Sequence, residues 1–295
     1  MQIEGFPSTV KLPEIQHGSE NRKWPERGRL IVQEKIDGSN FTVYRPDEHS
    51  PLLFFNKGKP VKADQSVWER TCRALSTRAY LFRPGYVYHG EAMRATRSCH
   101  IMYKQVPRFY WMCYEIIAPG TSVCMTPEEM DEILKDTGIQ QARIYYDSKY
   151  ADETSPERLD NLFKSINMLP SCLGNYAEGF VVKVLQYEKK GKLVTYRCKY
   201  VSDHMRERKP IEGVMAPDCT VESIGDLFNV PARFRKAVQH LQERGEEVTP
   251  SAVAAECDAD LLKEYEQEIR EMLWNRYWNT IKRASRADLH KFMNQ

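Results

Sequence analysis

Closely paired cysteines are missing from this 295-residue chain. Its eight cysteines stand at 72, 99, 113, 124, 172, 198, 219 and 257, the nearest two eleven apart. That spacing excludes zinc fingers and ribbons and points to small core residues rather than disulfides, as in a reducing compartment. No apolar run reaches the roughly 20 residues that cross a bilayer. The first residues, Met1-Gln2-Ile3-Glu4-Gly5, lack the basic-then-apolar layout of a secretory leader. The expectation is an intracellular protein, in a cytoplasm or a host-cell cytoplasm, that engages no membrane. Internal repeats and low-complexity segments are absent as well, which excludes solenoids and compositional linkers. Strong net charge is the last absence: the formal balance is only +2, too little for a generally sticky polycation.

What charge there is lies unevenly. Residues 218–295 hold 11 Lys/Arg against 14 Asp/Glu, leaving 32 against 27 in residues 1–217. Basic residues gather at 22–29, 197–209 and 276–291, a pattern suited to a local polyanion track or to solvated helix ends. Hydrophobic residues make up 41% and charged residues 28%, the composition of a globular chain with a sizeable core.

Strand-like segments dominate the first two hundred residues. Residues 29–36 and 41–44 flank an Asp-Gly-Ser-Asn turn, and 86–89 run into Gly90-Glu91. Residues 108–117 read as an aromatic strand, and 179–185 with 193–200 as a pair around Lys189-Lys190-Gly191. Helices are expected over 67–80 and 156–167, and after Thr126, where a capping Thr precedes Pro and a Glu three residues on, with Gly138 as the stop. Beyond about 217 the periodicity is helical: 223–228, 232–244 stopped by Gly245, and 258–282 with Leu262, Tyr265, Ile269, Met272 and Leu273 at helical spacing. The fold class expected is α+β, mostly antiparallel sheets with flanking helices over 1–215, followed by a small all-helical domain over 216–295.

One segment concentrates the chemistry. Glu34-Lys35-Ile36-Asp37-Gly38-Ser39-Asn40 puts a lysine near the end of an apolar strand, directly before a turn. Further on come Gly90-Glu91 at a strand end and Tyr114-Glu115-Ile116 in the aromatic strand. Glu178-Gly179-Phe180-Val181-Val182-Lys183 follows, and then Arg197-Cys198-Lys199, two cations on one strand face. Each alone also fits a dull role, such as an exposed strand end, a core aromatic or a charged sheet edge.

In this order, over about residues 10–205, the series resembles the covalent nucleotidyltransferase superfamily of polynucleotide ligases and capping enzymes: Lys-x-Asp-Gly, Gly-Glu, an aromatic strand, Glu-Gly-x-Val-x-Lys and a basic pair. Within it, the Asn after the Asp-Gly-Ser turn is similar to the ATP-dependent RNA ligase 2 family. The resemblance implies that Lys35 attacks the α-phosphorus of ATP and carries AMP. A lysine of ordinary pKa (about 10.4) is roughly a thousandth neutral near pH 7, so the site must lower that value by desolvation and nearby positive charge. It further implies Glu34 and Ile36 beside the adenine, Asp37 positioning the lysine or a metal-bound water, and Asn40 serving the later phosphate steps. Glu91 would take the ribose hydroxyls and Tyr114 would stack on the base. Glu178 would serve Mg²⁺ or Mn²⁺, a hard cation, with Lys199, Lys183 and Arg197 facing the phosphates.

Two positions depart from the pattern. Lys57 in Asn56-Lys57-Gly58 stands where the family has arginine, and Arg197 where it has lysine; the two cations are not equivalent in geometry. The function implied is joining a 3′-hydroxyl to a 5′-phosphate through lysyl-AMP and an adenylylated RNA end. The partners implied are RNA ends, with nicked duplex RNA foremost, and the protein is expected to be a monomer. The alternatives are a DNA ligase or capping guanylyltransferase, and a non-catalytic RNA end-binding relative. Arg286-Ala287-Asp288-Leu289 only approaches the basic closing element of the first two, in helical texture. Trp274, Tyr277 and Trp278 beside Lys282, Arg283, Arg286 and Lys291 could grip nucleic acid, or the tryptophans could be the core of a helix bundle.

Overall fold

The computed structural model describes residues 10–11, 24–65, 67–96, 101–166, 170–187, 193–202 and 221–287. The expected turn at Lys189-Lys190-Gly191, the boundary at 215 and parts of all three basic clusters lie outside these residues. The chain divides into two compact units, Met1–Met205 and Arg206–Gln295.

The first unit holds two sheets. One contains β1 (Val10–Lys11), β2 (Arg27–Lys35), β9 (Ile144–Glu153), β10 (Gly179–Tyr187) and β11 (Leu193–Val201), in the order β1-β11-β10-β2-β9. The other contains β3 (Ser39–Tyr44), β4 (Leu53–Asn56), β5 (Lys59–Pro60), β6 (Val87–Ala92), β7 (Trp111–Ile117) and β8 (Gln140–Gln141), in the order β5-β4-β3-β6-β7-β8. All pairings are antiparallel except β1 with β11 and β7 with β8. The α+β class with mostly antiparallel sheets is therefore as expected.

Period-two alternation explains how each sheet buries one face. Leu30, Val32, Phe180, Val182, Val184 and Cys198 pack with Leu159, Leu162 and Phe163 of α3 (Pro156–Ile166). There the rings of Phe163, Phe180 and Tyr200 stack within 6.1 Å of one another. In the second sheet, Phe41, Val43, Phe54 and Trp111 pack on α1 (Glu69–Ser76) through Cys72 and Leu75, and on α2 (Pro127–Leu134) through Met130, Ile133 and Leu134. Helix α2 starts where Thr126 accepts from the Glu129 amide and Glu129 accepts from the Thr126 amide, satisfying two otherwise orphaned donors.

The second unit is helical among its described residues: α4 (Val221–Phe228), α5 (Pro231–Arg244) and α6 (Pro250–Ala284). Gly245 ends α5 in the left-handed region at φ 71°, a conformation that costs an L side chain energy. Among the described residues no helix is long and apolar enough to cross a membrane.

Local chemistry moved several boundaries. The strand expected over 108–117 begins only at Trp111, because Phe109 and Tyr110 adopt φ of 63° and 57° in a 3-10 turn. The helix expected over 67–80 is α1 plus a separate 3-10 turn, Ala79–Leu81. Helix α6 starts eight residues before the expected 258, after Thr249 caps the Ala252 amide ahead of Pro250. Strand β9, rich in tyrosine and charge, was not expected at all.

Two glycines are set by strand packing rather than by a ligand. A Cβ on Gly179 would lie 2.0 Å from the Tyr200 carbonyl oxygen of β11. One on Gly90 would lie 2.4 Å from the Met112 oxygen and the Trp111 ring, so the core itself makes the close approach at that position. Gly179→Ala should force β10 and β11 apart and cost about 1–3 kcal/mol or more, measured by urea unfolding.

Candidate active site

The backbone passes from one sheet to the other at the lysine motif. Lys35 ends β2, Ser39 begins β3, and only Ile36, Asp37 and Gly38 lie between. The turn is pinned on several sides. Ile36 is buried with Met93, Ile101, Tyr103, Met112, Ala142 and Leu173. The Asp37 amide donates to the Tyr103 hydroxyl at 2.8 Å, and the Asp37 carboxylate accepts from the Ile101 amide at 3.0 Å. Two further bonds, from the Lys104 and Gln105 amides to the Leu173 carbonyl, tie this strap to the loop ahead of Glu178. Tyr103 carried no motif, so sequence reasoning passed over it.

The Lys35 ammonium donates to Glu178 Oε2 at 2.5 Å. Burial presses its pKa down, but Glu178, with Glu91 and Asp37 behind it, outweighs that and holds the pKa above the ordinary value. This is opposite to the lowering a nucleophile requires, and the cause is the carboxylate in contact. Glu178 is itself fixed by Ser202, whose amide and hydroxyl both donate to the Glu178 carbonyl at 3.0 Å.

A second group forms around Tyr114. The register steps from Glu115 opposite His89 to Cys113 opposite Gly90, so Tyr114 is the extra residue of a β-bulge, a device that re-aims side chains. Its hydroxyl accepts from Asn40 Nδ2 at 2.7 Å, and burial, then the charges of Glu91 and Glu115, hold its pKa well up. Asn40 sits in register with Glu91 across β3 and β6. Its side-chain oxygen accepts from the Lys57 amide at 3.3 Å, and Asn56 Nδ2 donates to its carbonyl at 2.7 Å. The exposed Lys57 side chain thus rises from a turn (φ 47°) tied to the same cluster.

The basic residues of β10 and β11 meet a carboxylate outside the expected site residues. Glu115 is fully buried and takes both Arg197 Nε and Nη2, at 3.1 and 2.7 Å, with Lys183 Nζ at 3.2 Å. Lys183 also donates to the Tyr114 carbonyl at 2.5 Å. Burial raises the Glu115 pKa, but the two cations win and hold it at about 2. Beside it, burial drives His89 down to about 4, and its Nδ1 lies 2.9 Å from the Thr42 hydroxyl. Lys183 pairs with Arg197 in register, and Lys199 with Val181, so all three cations share one sheet face. A signal for Glu115 was present: a carboxylate inside an otherwise apolar strand is uncommon unless it is paired.

Glu34 is buried beside the loop at 172. One carboxylate oxygen accepts from the Cys172 amide at 3.0 Å, and the other, Oε1, has no hydrogen-bond partner among the described residues. The expected residues therefore form three joined sets. Lys35 lies with Glu178, Asp37 and Glu91; Asn40 with Tyr114 and Lys57; Lys183 with Arg197, through Glu115. Lys199 joins them by strand register.

A fold with a lysine at the crossing of two antiparallel sheets, ringed by carboxylates and backed by strand cations, defines the class of site. The chain belongs to the RNA ligase family, which matches residues 28–201, more than half of its length. Among solved structures it is similar to a Naegleria gruberi RNA ligase variant with ATP and Mn, at 19% identity and TM-score 0.47 over 68% of this chain and 58% of that one. The same ligase with pyrophosphate gives 19% identity, TM-score 0.45 and the same coverage. A candidate ATP-dependent DNA ligase from Aquifex aeolicus gives 14% identity and TM-score 0.43 over 96% of this chain and 67% of that one. The chain thus spans less than two thirds of the Naegleria proteins' length. Comparison with curated protein sequences found no match.

His89 gives the site a pH signature. Between its ordinary 6.5 and about 4 the unfolded chain binds a proton that the folded chain refuses, so stability falls as pH drops across that window. His89→Gln should flatten the difference in unfolding free energy between pH 7 and pH 4.5; an unchanged difference would place the linkage elsewhere.

Proposed function

We propose that this chain is an ATP-dependent RNA ligase, and the observation that carries the reading is the Lys35–Glu178 pair at the crossing turn. In the first step the Lys35 amine attacks the α-phosphorus of ATP, an N–P bond forms and pyrophosphate leaves. A 5′-phosphate oxygen of RNA then takes the AMP and releases the lysine. Last, the 3′-hydroxyl attacks that activated phosphate and AMP departs.

The amine must lose a proton first, and the pair suggests how. While Glu178 accepts from it the ammonium is favoured. Once Glu178 turns to other work, burial favours the neutral amine against the remaining pull of Glu91 and Asp37 alone. Glu178 is the carboxylate that would hold a divalent cation, since Mg²⁺ commonly uses one or two carboxylates. Such a cation, Mg²⁺ or Mn²⁺, would supply charge neutralisation when bound.

The other residues take roles that fit their surroundings. Glu34 Oε1 is a buried acceptor suited to the adenine amino group, and the Ile36 backbone borders the base. Tyr114 offers its ring to the adenine, held by Asn40, and Glu91 accepts from the ribose. Asp37 holds the turn. Lys57, Lys183, Arg197 and Lys199 face the phosphates, with Arg197 limited to electrostatics because a guanidinium keeps its proton. The domains are residues 1–215 for nucleotidyl transfer and 216–295 as a helical module, acting as a monomer on nicked duplex RNA.

Wild type incubated with labelled ATP and Mg²⁺ should acquire covalent AMP, and Lys35→Ala should acquire none. Glu178→Gln should lower the labelling rate by at least about tenfold, in line with loss of one charge-stabilising group. Labelling from GTP instead of ATP, or sealing of nicked DNA but not nicked RNA, would move the chain to the capping or DNA-ligase reading. Absence of labelling in wild type would leave the non-catalytic one.

A further inference from the structure

Helix α6 changes character along its length. Residues 250–271 contain seven Asp/Glu and two Lys/Arg, whereas 272–287 contain no acid and four Lys/Arg. The apolar cluster of this unit, Ile224, Leu227 and Phe228 with Leu261, Tyr265, Ile269, Met272 and Leu273, ends at that same point. Beyond it the helix runs on among its exposed residues. Trp274 is 57% exposed and Trp278 38%, with Tyr277 and Ile281 exposed beside them. The tryptophans are therefore not the bundle core that the sequence also allowed.

They are ordered nonetheless. The rings of Trp274 and Trp278, one helical turn apart, stack at 4.5 Å between centroids and 15° between planes. Lys282, the next turn along, holds its ammonium 5.6 Å over the Trp278 ring. Trp278 thus has both the lysine and Trp274 against it, and Trp274, the more exposed of the two rings, is the stacking surface on offer. Cations alone at a helix C-terminus need no ligand, because the helix dipole favours them. Two exposed indoles in a stack, inside a segment free of acid, are a different matter. Aromatic faces beside cations are how single-stranded nucleic acid is held, each base on a ring and each phosphate near a charge.

We propose that the end of α6 is an RNA-binding surface for unpaired nucleotides: a base stacks on Trp274, and Lys282, Arg283 and Arg286 take the adjoining phosphates. This rests on the ligase reading for the identity of the polyanion. It predicts that the second unit grips a single-stranded stretch or a frayed end.

The test is fluorescence anisotropy of a labelled, 5′-phosphorylated single-stranded RNA titrated with the full chain, alongside a blunt RNA duplex of the same sequence. Trp274→Ala with Trp278→Ala should weaken single-strand binding at least about tenfold, leave duplex binding within about twofold of wild type, and be largely restored by Phe at both positions. Lys282→Gln, Arg283→Gln and Arg286→Gln together should reduce the slope of log affinity against log salt by about 2. Single-strand affinity unchanged by the alanine pair, or equal losses on both probes, would overturn the inference. So would a shifted elution volume or melting temperature with RNA affinity retained, since a protein surface would then cover the indoles. AMP labelling of the wild-type chain reports separately on the ligase reading: if it occurs while the alanine pair binds RNA normally, only the surface assignment fails.

Discussion

Glu115 joins the two sheets through charge. It belongs to β7, while the cations that clasp it, Arg197 and Lys183, come from β11 and β10. The carboxylate is fully buried, so its two partners must offset the cost of taking it out of solvent. They do so with a two-point guanidinium contact and an ammonium, the geometry in which buried ion pairs hold. Such a pair adds little net stability compared with an apolar equivalent, but it tolerates only one relative placement of its partners. Here that placement sets how the strand carrying Tyr114 lies against the strands carrying the cations. The Lys183 bond to the Tyr114 carbonyl depends on the same arrangement.

The Lys35–Glu178 pair is of another kind. Its lysine side chain is about a quarter exposed, and its members end and precede strands. A buried cross-sheet clamp thus stands beside a more exposed contact. The first holds the two sheets in register; the second keeps the Lys35 amine charged while the carboxylate touches it.

The sequence revealed most where local chemistry decides structure. Thr126-Pro127 with Glu129, the Asp-Gly turn after Lys35 and the stop at Gly245 depend on neighbours a few residues away, and each could be read directly. Strand β9 could not, because its tyrosines and charges become a strand only by pairing with β2. Residues 108–110 read as strand from their aromatics, yet the backbone turns there. Tyr103 was hidden, and Glu115 showed only as an acid in an apolar strand, since their importance lies in partners 66 to 82 positions away. The fold class came from periodicity, whereas the candidate site was found through the order of its motifs; single residues could not have supplied it. Helix α6 repeated at Thr249-Pro250 the start signal recognised at Thr126-Pro127, and it was missed because the apolar periodicity begins later.

The bulge at Tyr114 makes the length of β7 a determinant of chemistry. One inserted or deleted residue between Trp111 and Ile117 would exchange inward and outward side chains along the rest of the strand. The aromatic ring and the buried acid would then trade places with aliphatic groups, leaving two cations without a counter-ion. Drift in the neighbouring loops can be absorbed by slack in the chain. This strand has none, and its residue count is as much a part of the site as any side chain it carries.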